Sequence, residues 1–268
     1  MSRVSPTGET RYSEIKGRRS TRLFDPNQAI ESDKLETLDS ICKQFTPFPD
    51  ARSCLVTESV QGVFKGFIGS YGKVKGASAF IAFIGNMDSP NVQEEVGYTG
   101  EGIILEATAL GLSTCWIGGF FRPEKVASLI KLGNNERVLA VTPVGYAQKL
   151  GSFEGKLLTG FGRLHKRLPI STLVSGSETE NLSGWVKESI EAARLAPSAV
   201  NRQPWGFNNE SDGITVFVRT SNPEFNISKR LDCGIAMLHV EVAALNFGCK
   251  GEWQFLQPPQ VAKFTIWQ

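Results

Sequence analysis

The sequence predicts an α+β fold made of two related halves of one chain. Helix-like and strand-like segments alternate, and the order helix, strand, strand, helix, strand occurs twice. An apolar helix that ends in glycine and is followed by a tryptophan also occurs twice, at Gly97–Trp116 and Gly234–Trp253. Between the two occurrences, residues Ser171–Gly184 are mostly serine, threonine, glycine and acidic residues, which is typical of an exposed connector.

The composition is that of a soluble globular protein, with 268 residues, 41% hydrophobic and 21% charged. A formal net charge of +2 is too small to indicate nucleic acid or a membrane surface as the main partner. The sequence contains no apolar run of membrane-spanning length and begins without a signal-peptide pattern. Five scattered cysteines without a CxxC pair indicate reduced thiols, and two distant histidines argue against a metal site. We therefore expect a cytoplasmic protein without a metal.

Capping residues and apolar periodicity predict the elements of the first half. One helix is expected over Tyr12–Lys16, and a second starts at Asp33, whose side chain caps it while Glu36 completes a capping box. The predicted strands are Cys54–Thr57, Ala79–Ile84 and Val138–Val144. The further predicted helices are Gly97–Gly111 and a helix that Pro123 opens and that ends near Gly133.

The second half repeats this pattern in a shorter form. Its predicted elements are a helix from Trp185 that Pro197 breaks, a strand that follows Gln203-Pro204-Trp205 and precedes Glu210-Ser211, a strand at Ile214–Arg219, a helix at Cys233–Asn246 and a strand at Phe264–Trp267. A gap-free alignment pairs Gly97 with Gly234, Gly111 with Gly248 and Trp116 with Trp253. Coincidence between two glycine-ended helices is the alternative, and duplication is the better interpretation.

The two halves are not equivalent in content. The first carries an insertion at about Val60–Lys75 and the helix from Pro123, and the second lacks both of these as well as a basic N-terminal arm. We therefore predict a first half over residues 1–170, a connector over 171–184, and a second, shorter half over 185–268.

Two segments contain residues suited to binding a phosphorylated, flat ligand. Arg18-Arg19-Ser20-Thr21-Arg22 offers guanidinium groups that form bidentate hydrogen bonds with phosphate oxygens, although a solvated basic surface has the same composition. The segment Ala196-Pro-Ser-Ala-Val-Asn-Arg-Gln-Pro-Trp205 can present amide groups to the edge of a heteroaromatic ring. An ordinary helix-to-strand turn would use the same residue types.

Two further segments add weaker signals. Adjacent glycines in Trp116-Ile117-Gly118-Gly119-Phe120 let the backbone come close to a ligand, although for this segment alone a plain loop ahead of the Pro123 helix is the favoured interpretation. The cluster His165-Lys166-Arg167-Leu168-Pro169 ends the first half, and most such cationic clusters are simply solvated.

Together these segments resemble the nitroreductase superfamily over nearly the whole chain. The matching motifs are the basic Arg-x-Ser segment after the first helix, the APSxxNxQPW segment, the loop after the glycine-ended helix, a Gly145-Tyr146 turn and the late Lys166–Pro169 stretch. The resemblance implies two mixed or antiparallel β-sheets flanked by helices, an FMN cofactor, and NADH or NADPH as electron donor. It also implies that the two halves form an internal pseudo-dimer, which allows the protein to be a monomer.

The resemblance implies specific cofactor-binding residues. The phosphate would be held by Arg18, Arg19, Ser20 and Arg167, and the ring would be contacted by Ile117, Gly118, Gly119, Pro197, Ser198 and Asn201. Positive charge near the ring edge that becomes anionic on reduction would come first from Arg22 and second from Lys73. Phe64, Phe67 and Tyr71 could form walls of the substrate pocket, although such residues more often belong to a core.

This sequence departs from the family pattern in one respect. The family places its PSxxN motif after the basic motif of the same repeat, where this chain reads Phe45-Thr-Pro-Phe-Pro-Asp-Ala-Arg52. The intact motif lies in the second half, so we expect one composite site per chain, with phosphate contacts from the first half and ring contacts from the second.

The implied activity is ping-pong transfer of electrons from NAD(P)H through FMN to a small acceptor such as a nitroaromatic or a quinone. No side-chain nucleophile is required. The alternatives are a flavin-binding protein without turnover, a related chemistry such as reductive dehalogenation or flavin destruction, and a structural relic without cofactor. The intact basic and PSxxN motifs argue against the last.

Overall fold

Two four-stranded antiparallel sheets form the frame of the computed structural model, which describes residues 11–64, 73–149, 166–175, 182, 184–220 and 227–267. The first sheet contains β1 (Ala51–Val56), β2 (Ala79–Asn86), β3 (Ser113–Thr114) and β4 (Glu136–Gly145). The second contains β5 (Trp205–Glu210), β6 (Gly213–Val218), β7 (Gly251–Phe255) and β8 (Gln260–Ile266). The strand orders, β1-β2-β4-β3 and β5-β6-β8-β7, are the same. The predicted α+β fold is confirmed.

The helices pack between and around these sheets. They are α1 (Tyr12–Gly17), α2 (Ser32–Gln44), α3 (Val92–Ala109), α4 (Pro123–Ala127), α5 (Ile170–Leu173), α6 (Gly184–Arg194) and α7 (Lys229–Asn246). Both α3 and α7 have 18 residues, and α7 begins and ends 137 residues after α3 does. The same offset separates Trp116 from Trp253, so these elements occur at the spacing of the gap-free alignment.

The closest approach of the two halves is the crossing of α3 and α7. A Cβ atom added at Gly97 would lie 2.1 Å from the carbonyl oxygen of Leu231, and one at Gly234 would lie 2.2 Å from that of Glu94. Leu231 and Glu94 are equivalent under the same offset, so each glycine faces the same point of the other helix. The crossing therefore lies on an approximate twofold axis, and we call the boundary around it the seam.

Several sequence predictions of element boundaries are wrong. Helix α2 begins at Ser32 with Glu31 at its N-cap position, and the Glu31 side chain makes no capping hydrogen bond. Asp33 lies inside the first turn, where its charge still interacts favourably with the helix dipole. Helix α4 ends at Ala127, well before Gly133.

The predicted connector is also wrong at its start. Residues 171–173 belong to α5, Leu173 is buried, and Val174 forms a β-bridge with Phe207 of the second sheet. Polar residues around two buried apolar ones gave the segment the composition of an exposed loop. Residues 176–181 and 183 lie outside the described part of the chain.

Apolar residues of both halves form one core around the crossing. It includes the large buried side chains of Tyr98, Ile103, Trp205, Leu238 and Phe264. Among the described residues, no helix has both the length and the apolar character needed to cross a membrane.

Candidate functional site

The basic segment Arg18–Arg22 runs beside the edge strand of the first sheet. Ser20 forms a parallel bridge with Thr114 of β3, and the Thr21 amide donates to the Thr114 carbonyl at 2.8 Å. Further on, the Lys75 amide donates to the Arg22 carbonyl at 2.9 Å. Backbone pairing on both sides therefore fixes the direction of this segment.

Arg18 is buried, with 7% of its surface exposed, so it is not part of a solvated basic face. Its Nη1 donates to Ser20 Oγ at 3.4 Å, and its Nε lies 3.8 Å from Glu101 Oε1. That Nε finds no hydrogen-bond partner among the described residues. Because buried charged donors are normally satisfied, this guanidinium has capacity for a further anion.

A second guanidinium, that of the partly buried Arg167, lies close to Arg18. Burial is the largest cause that lowers the pKa of Arg167 to about 10, and the charges of Arg18, Arg194 and Arg19 contribute to that fall while Glu101 opposes it. Arg19 is itself exposed, and its Nη1 donates to the carbonyl of Arg18 at 2.9 Å. Several guanidinium charges thus share one partly buried region, where an anion would reduce the repulsion among them.

The APSxxN segment forms a strained turn after α6. Val200, Asn201 and Gln203 have positive φ angles of 47°, 55° and 46°. Such angles are uncommon outside glycine, and they are true outliers for a β-branched residue such as Val200. Ser198 Oγ stabilises the turn by accepting a hydrogen bond from the Gln203 amide at 2.9 Å, and Pro197 is buried where α6 ends.

This turn of the second half binds the late basic stretch of the first. Asn201 Oδ1 accepts from Arg167 Nη1 at 3.1 Å, and Asn201 Nδ2 donates to the Lys166 carbonyl at 3.1 Å. Gln203 donates to the same carbonyl at 3.0 Å and accepts from the Leu168 amide at 2.9 Å. The structure therefore brings these two predicted segments together, with direct hydrogen bonds that the sequence did not predict.

The glycine loop of the first half packs beside the same turn. A Cβ atom added at Gly118 or Gly119 would lie 3.1 or 3.2 Å from the side chain of Ile227, and Ile117 exchanges two 2.9 Å backbone hydrogen bonds with Val141. The carbonyl of Ile227 accepts from Arg202 Nη2 at 2.8 Å. Both halves therefore contribute backbone to one region, which with Arg18–Arg22 and Lys166–Pro169 we call the seam site.

Lys73 lies in a different place from the arginine cluster. It lines an open cavity of about 420 Å³ in the first half, together with Phe64, Lys75 and Arg122. Lys75 pairs with the backbone of Arg22, so this cavity adjoins the end of the basic segment. Phe67 and Tyr71, predicted as pocket walls, lie outside the described residues.

Sequence reasoning missed a buried hydrogen-bonded group beneath the seam site. Glu101 of α3 is fully buried, and its Oε2 accepts from Trp116 Nε1 at 2.6 Å. Its Oε1 lies 2.9 Å from Nε2 of His239 on α7, whose Nδ1 lies 2.9 Å from the Ala192 carbonyl. The available signal was a glutamate among small and apolar residues in the middle of α3 and one of the two histidines of the sequence in the middle of α7.

Aromatic side chains fill the region related to the seam site by the approximate twofold axis. The ring of Phe45 packs onto Gly102, where an added Cβ atom would lie 2.4 Å from it. The ring of Phe48 lies 5.2 Å from that of Tyr98 and 5.5 Å from that of Phe255, centroid to centroid. We call this region of four aromatic residues the mirror site.

Known proteins of similar sequence and structure point to one family. The family model described as "Putative TM nitroreductase" matches residues 10–244. The chain therefore belongs to this nitroreductase family. A crystal structure of a "putative nitroreductase" from Thermotoga maritima MSB8 has a TM-score of 0.66 and 18% identity, covering 96% of this chain and 94% of that one. At that identity the likeness shows the fold.

Other solved structures match a smaller part of the chain. An FMN-dependent nitroreductase from Clostridium difficile R20291 is 20% identical with a TM-score of 0.41, covering 52% of this chain and 88% of that one. A nitroreductase with bound FMN from Bacteroides fragilis NCTC 9343 is 17% identical with a TM-score of 0.40, covering 54% and 96%. No curated protein matches the sequence.

Proposed function

We propose that this protein is an FMN-dependent oxidoreductase that transfers electrons from NADH or NADPH to a small acceptor such as a nitroaromatic or a quinone. The observation that carries the proposal is the group of arginine charges around Arg18 and Arg167, partly buried beside a strained turn from the other half. FMN, when bound, supplies the redox chemistry, and the chain supplies binding, orientation and charge.

The residues of the seam site fit the phosphate of FMN. A phosphate monoester carries about −1.5 to −2 charges at pH 7 and has three strong acceptor oxygens. Arg18 and Ser20 lie side by side, and Arg167 and Arg19 add positive charge to the same region. We assign the phosphate to these four residues, because the anion would relieve the repulsion among the guanidinium groups and satisfy the buried Arg18 Nε.

The opposite side of the seam site fits a flat ring. Gly118 and Gly119 leave the backbone of their loop without side chains of its own, the Ile227 side chain packs against them, and hydrogen bonds hold the turn Pro197–Asn201 beside them. We assign the ring contacts to Ile117, Gly118, Gly119, Pro197, Ser198 and Asn201. The side chains of Ser198 and Asn201 already bind other protein groups, so their contribution is to hold the turn as well as to touch the ring.

Arg22 is a stronger candidate than Lys73 for stabilising negative charge on the reduced ring. Burial raises the pKa of the Cys115 thiol, while the charges of Arg22 and Arg18 act against that rise, so both arginines lie near this one thiol. Lys73 lines the neighbouring cavity of the first half. A fixed positive charge beside the ring edge favours the reduced, anionic form.

We further propose one FMN per chain, with no second subunit needed to build the site. Both halves of the seam site belong to the same polypeptide, and the mirror site is filled by Phe45, Phe48, Tyr98 and Phe255. On this proposal the domains are residues 1–170 and 185–268, and the protein can act as a monomer.

The test combines cofactor content with anaerobic reduction. We expect freshly purified or FMN-reconstituted protein to contain one FMN per chain, and NADH or NADPH to bleach its yellow colour. A nitroaromatic or quinone added afterwards should restore the colour. Protein that gives no change in flavin fluorescence during FMN titration would contradict the proposal, and a yellow protein inert to both nicotinamides would be a flavin-binding protein without turnover.

A further inference from the structure

We propose that His239 neutralises Glu101 by sharing a proton with it, so that Arg18 keeps its full positive charge for the phosphate. His239 is then a positioning residue from the second half that acts on a binding residue of the first. This inference rests on the proposed FMN site, and it concerns the hydrogen-bonded group beneath it.

The geometry requires a proton between the two side chains. A carbonyl oxygen can only accept, so the Nδ1 of His239, 2.9 Å from the Ala192 carbonyl, carries a hydrogen. The Nε2 lies 2.9 Å from Glu101 Oε1, and a hydrogen bond there needs a second proton, on the ring or on the carboxyl. Trp116 Nε1 donates to the other carboxyl oxygen. In either arrangement the pair of His239 and Glu101 has no net charge.

That neutrality matters because Glu101 Oε1 also lies 3.8 Å from Arg18 Nε. The carboxylate and the guanidinium are both buried, so their interaction is weakly screened. An ionised Glu101 without a proton from His239 would cancel much of the Arg18 charge that an incoming phosphate needs. The shared proton removes this competition and leaves the carboxyl group in place as a hydrogen-bond acceptor.

The mirror site has a related group without this property. Glu241 of α7 accepts from Trp253 Nε1 at 2.7 Å and from the Tyr98 hydroxyl at 2.7 Å. Like Glu101, this buried glutamate therefore contacts a tryptophan of the same half and a residue of the other half. The donor across the seam is a tyrosine there and a histidine beneath Arg18. The histidine is therefore on the side of the molecule that has the basic segment Arg18–Arg22.

The test compares FMN with riboflavin, which lacks the phosphate, in equilibrium titrations at pH 8, where the phosphate is a dianion. His239→Gln keeps an amide donor toward Glu101 but brings no extra proton. We expect it to weaken FMN binding about tenfold, the effect of one unfavourable partly screened charge, while riboflavin binding is unchanged. Glu101→Gln restores a neutral pair, so the double variant should return to within about threefold of wild type.

Tyr98→Phe is the matched control, because it removes a buried hydrogen bond to a glutamate on the mirror side. It should lower the melting temperature without changing the ratio of FMN to riboflavin affinity. Equal loss of both ligands in His239→Gln, or a double variant no better than His239→Gln, would overturn the shared-proton role. Failure of the wild-type protein to bind FMN at all would instead overturn the proposed function together with this inference.

Discussion

The seam site and the mirror site lie in equivalent positions of the fold but contain different kinds of side chain. Both lie beside the crossing of α3 and α7, next to a tryptophan that donates to a buried glutamate. The seam site gathers guanidinium groups around a strained polar turn, whereas the mirror site is packed with aromatic rings. The two halves thus share the frame around the crossing, and they differ in the segments and side chains that surround it.

Single equivalent positions show how this difference arises. His239 of α7 corresponds to Gly102 of α3, and the missing side chain at Gly102 leaves the space that the Phe45 ring occupies. Asp232 corresponds to Glu95: Asp232 accepts from Arg202 Nε at 2.7 Å and from the Ala199 amide, so it supports the turn of the seam site. Glu95 accepts from the Ser89 hydroxyl instead.

The largest effect is expected from emptying the mirror site. Phe45→Ala removes a ring that is 2% exposed, and it should lower the free energy of unfolding by about 3–5 kcal/mol, as is usual for a buried phenylalanine. The FMN content should stay at one per chain, because the mirror site has no basic segment. Phe247→Ala, at a ring that is 47% exposed, is the control, and chemical denaturation measures both. A second bound flavin in Phe45→Ala would show that the aromatic rings alone keep the mirror site closed.

The twofold relation itself can be tested at the crossing. Gly97→Ala and Gly234→Ala place a methyl group at nearly the same distance from a backbone carbonyl of the other helix. We therefore expect both to lower the free energy of unfolding by about 3 kcal/mol. The gain in helix propensity of about 1 kcal/mol is too small to compensate. Gly17→Ala, whose added Cβ atom meets a flexible side chain at 3.7 Å, should have a small effect. Very different melting temperatures for the two crossing variants would mean that the halves are not equivalent there.

Local sequence patterns predicted most of the frame but only the parts of the site. Spaced glycines and tryptophans revealed the relation between α3 and α7, because close backbone approach permits only glycine. The two-residue strand β3 and the strand β7 were not predicted, since their pairing with β4 and β8 depends on partners distant in the chain. The contact between Glu101 and His239 was not predicted for the same reason, because the two residues are distant in the chain. In the sequence, Phe45 and Phe48 look like ordinary core residues. Only the structure reveals that they fill the mirror site.

Loss of Arg18 should weaken the binding of FMN, which has a phosphate, much more than the binding of riboflavin, which has none. One charge-assisted hydrogen bond is worth about 1.5–3 kcal/mol, so Arg18→Ala should weaken FMN binding about ten- to a hundredfold. Riboflavin binding should change much less, because the residue acts on the phosphate. Lys263→Ala removes the same charge from the second sheet, where Lys263 pairs with Asp212 and Glu210, and FMN titration should not detect it. Equal FMN affinity of the two variants would remove Arg18 from the site.

Changes in the turn of the seam site should weaken FMN binding less, because the turn serves mainly to position the ring. Ser198→Ala together with Asn201→Ala removes two neutral hydrogen bonds of about 1 kcal/mol each and the hydrogen bond that Asn201 accepts from Arg167, so FMN binding should weaken about tenfold or somewhat more. Asn201→Gly should cost less than Asn201→Ala, because glycine adopts the φ angle of 55° without strain. If Asn201→Ala binds FMN as tightly as wild type, the turn does not position the ring.

The smallest predicted effect is a pH-dependent difference between Glu95 and its counterpart Asp232. Burial raises the pKa of Glu95 to about 7, with Asp50 adding to the rise and the Ser89 hydroxyl opposing it. The ordinary value is 4.5, so the folded protein holds this proton more tightly than the unfolded chain does. Stability from this group is therefore fully present below about pH 4.5 and is lost as the pH rises to about 7.

Glu95→Gln should remove that loss. Allowing for screening by solvent, we expect the variant to be more stable than wild type by about 1 kcal/mol at pH 8 and equal to it at pH 4. Asp232→Asn should be less stable than wild type at pH 8, because its carboxylate binds Arg202 and the Ala199 amide. Denaturation curves at the two pH values measure both variants. Because Glu95 accepts from the Ser89 hydroxyl whereas Asp232 binds the turn of the seam site, opposite signs at pH 8 are the expected result, and equal signs would mean that the two carboxylates have the same role.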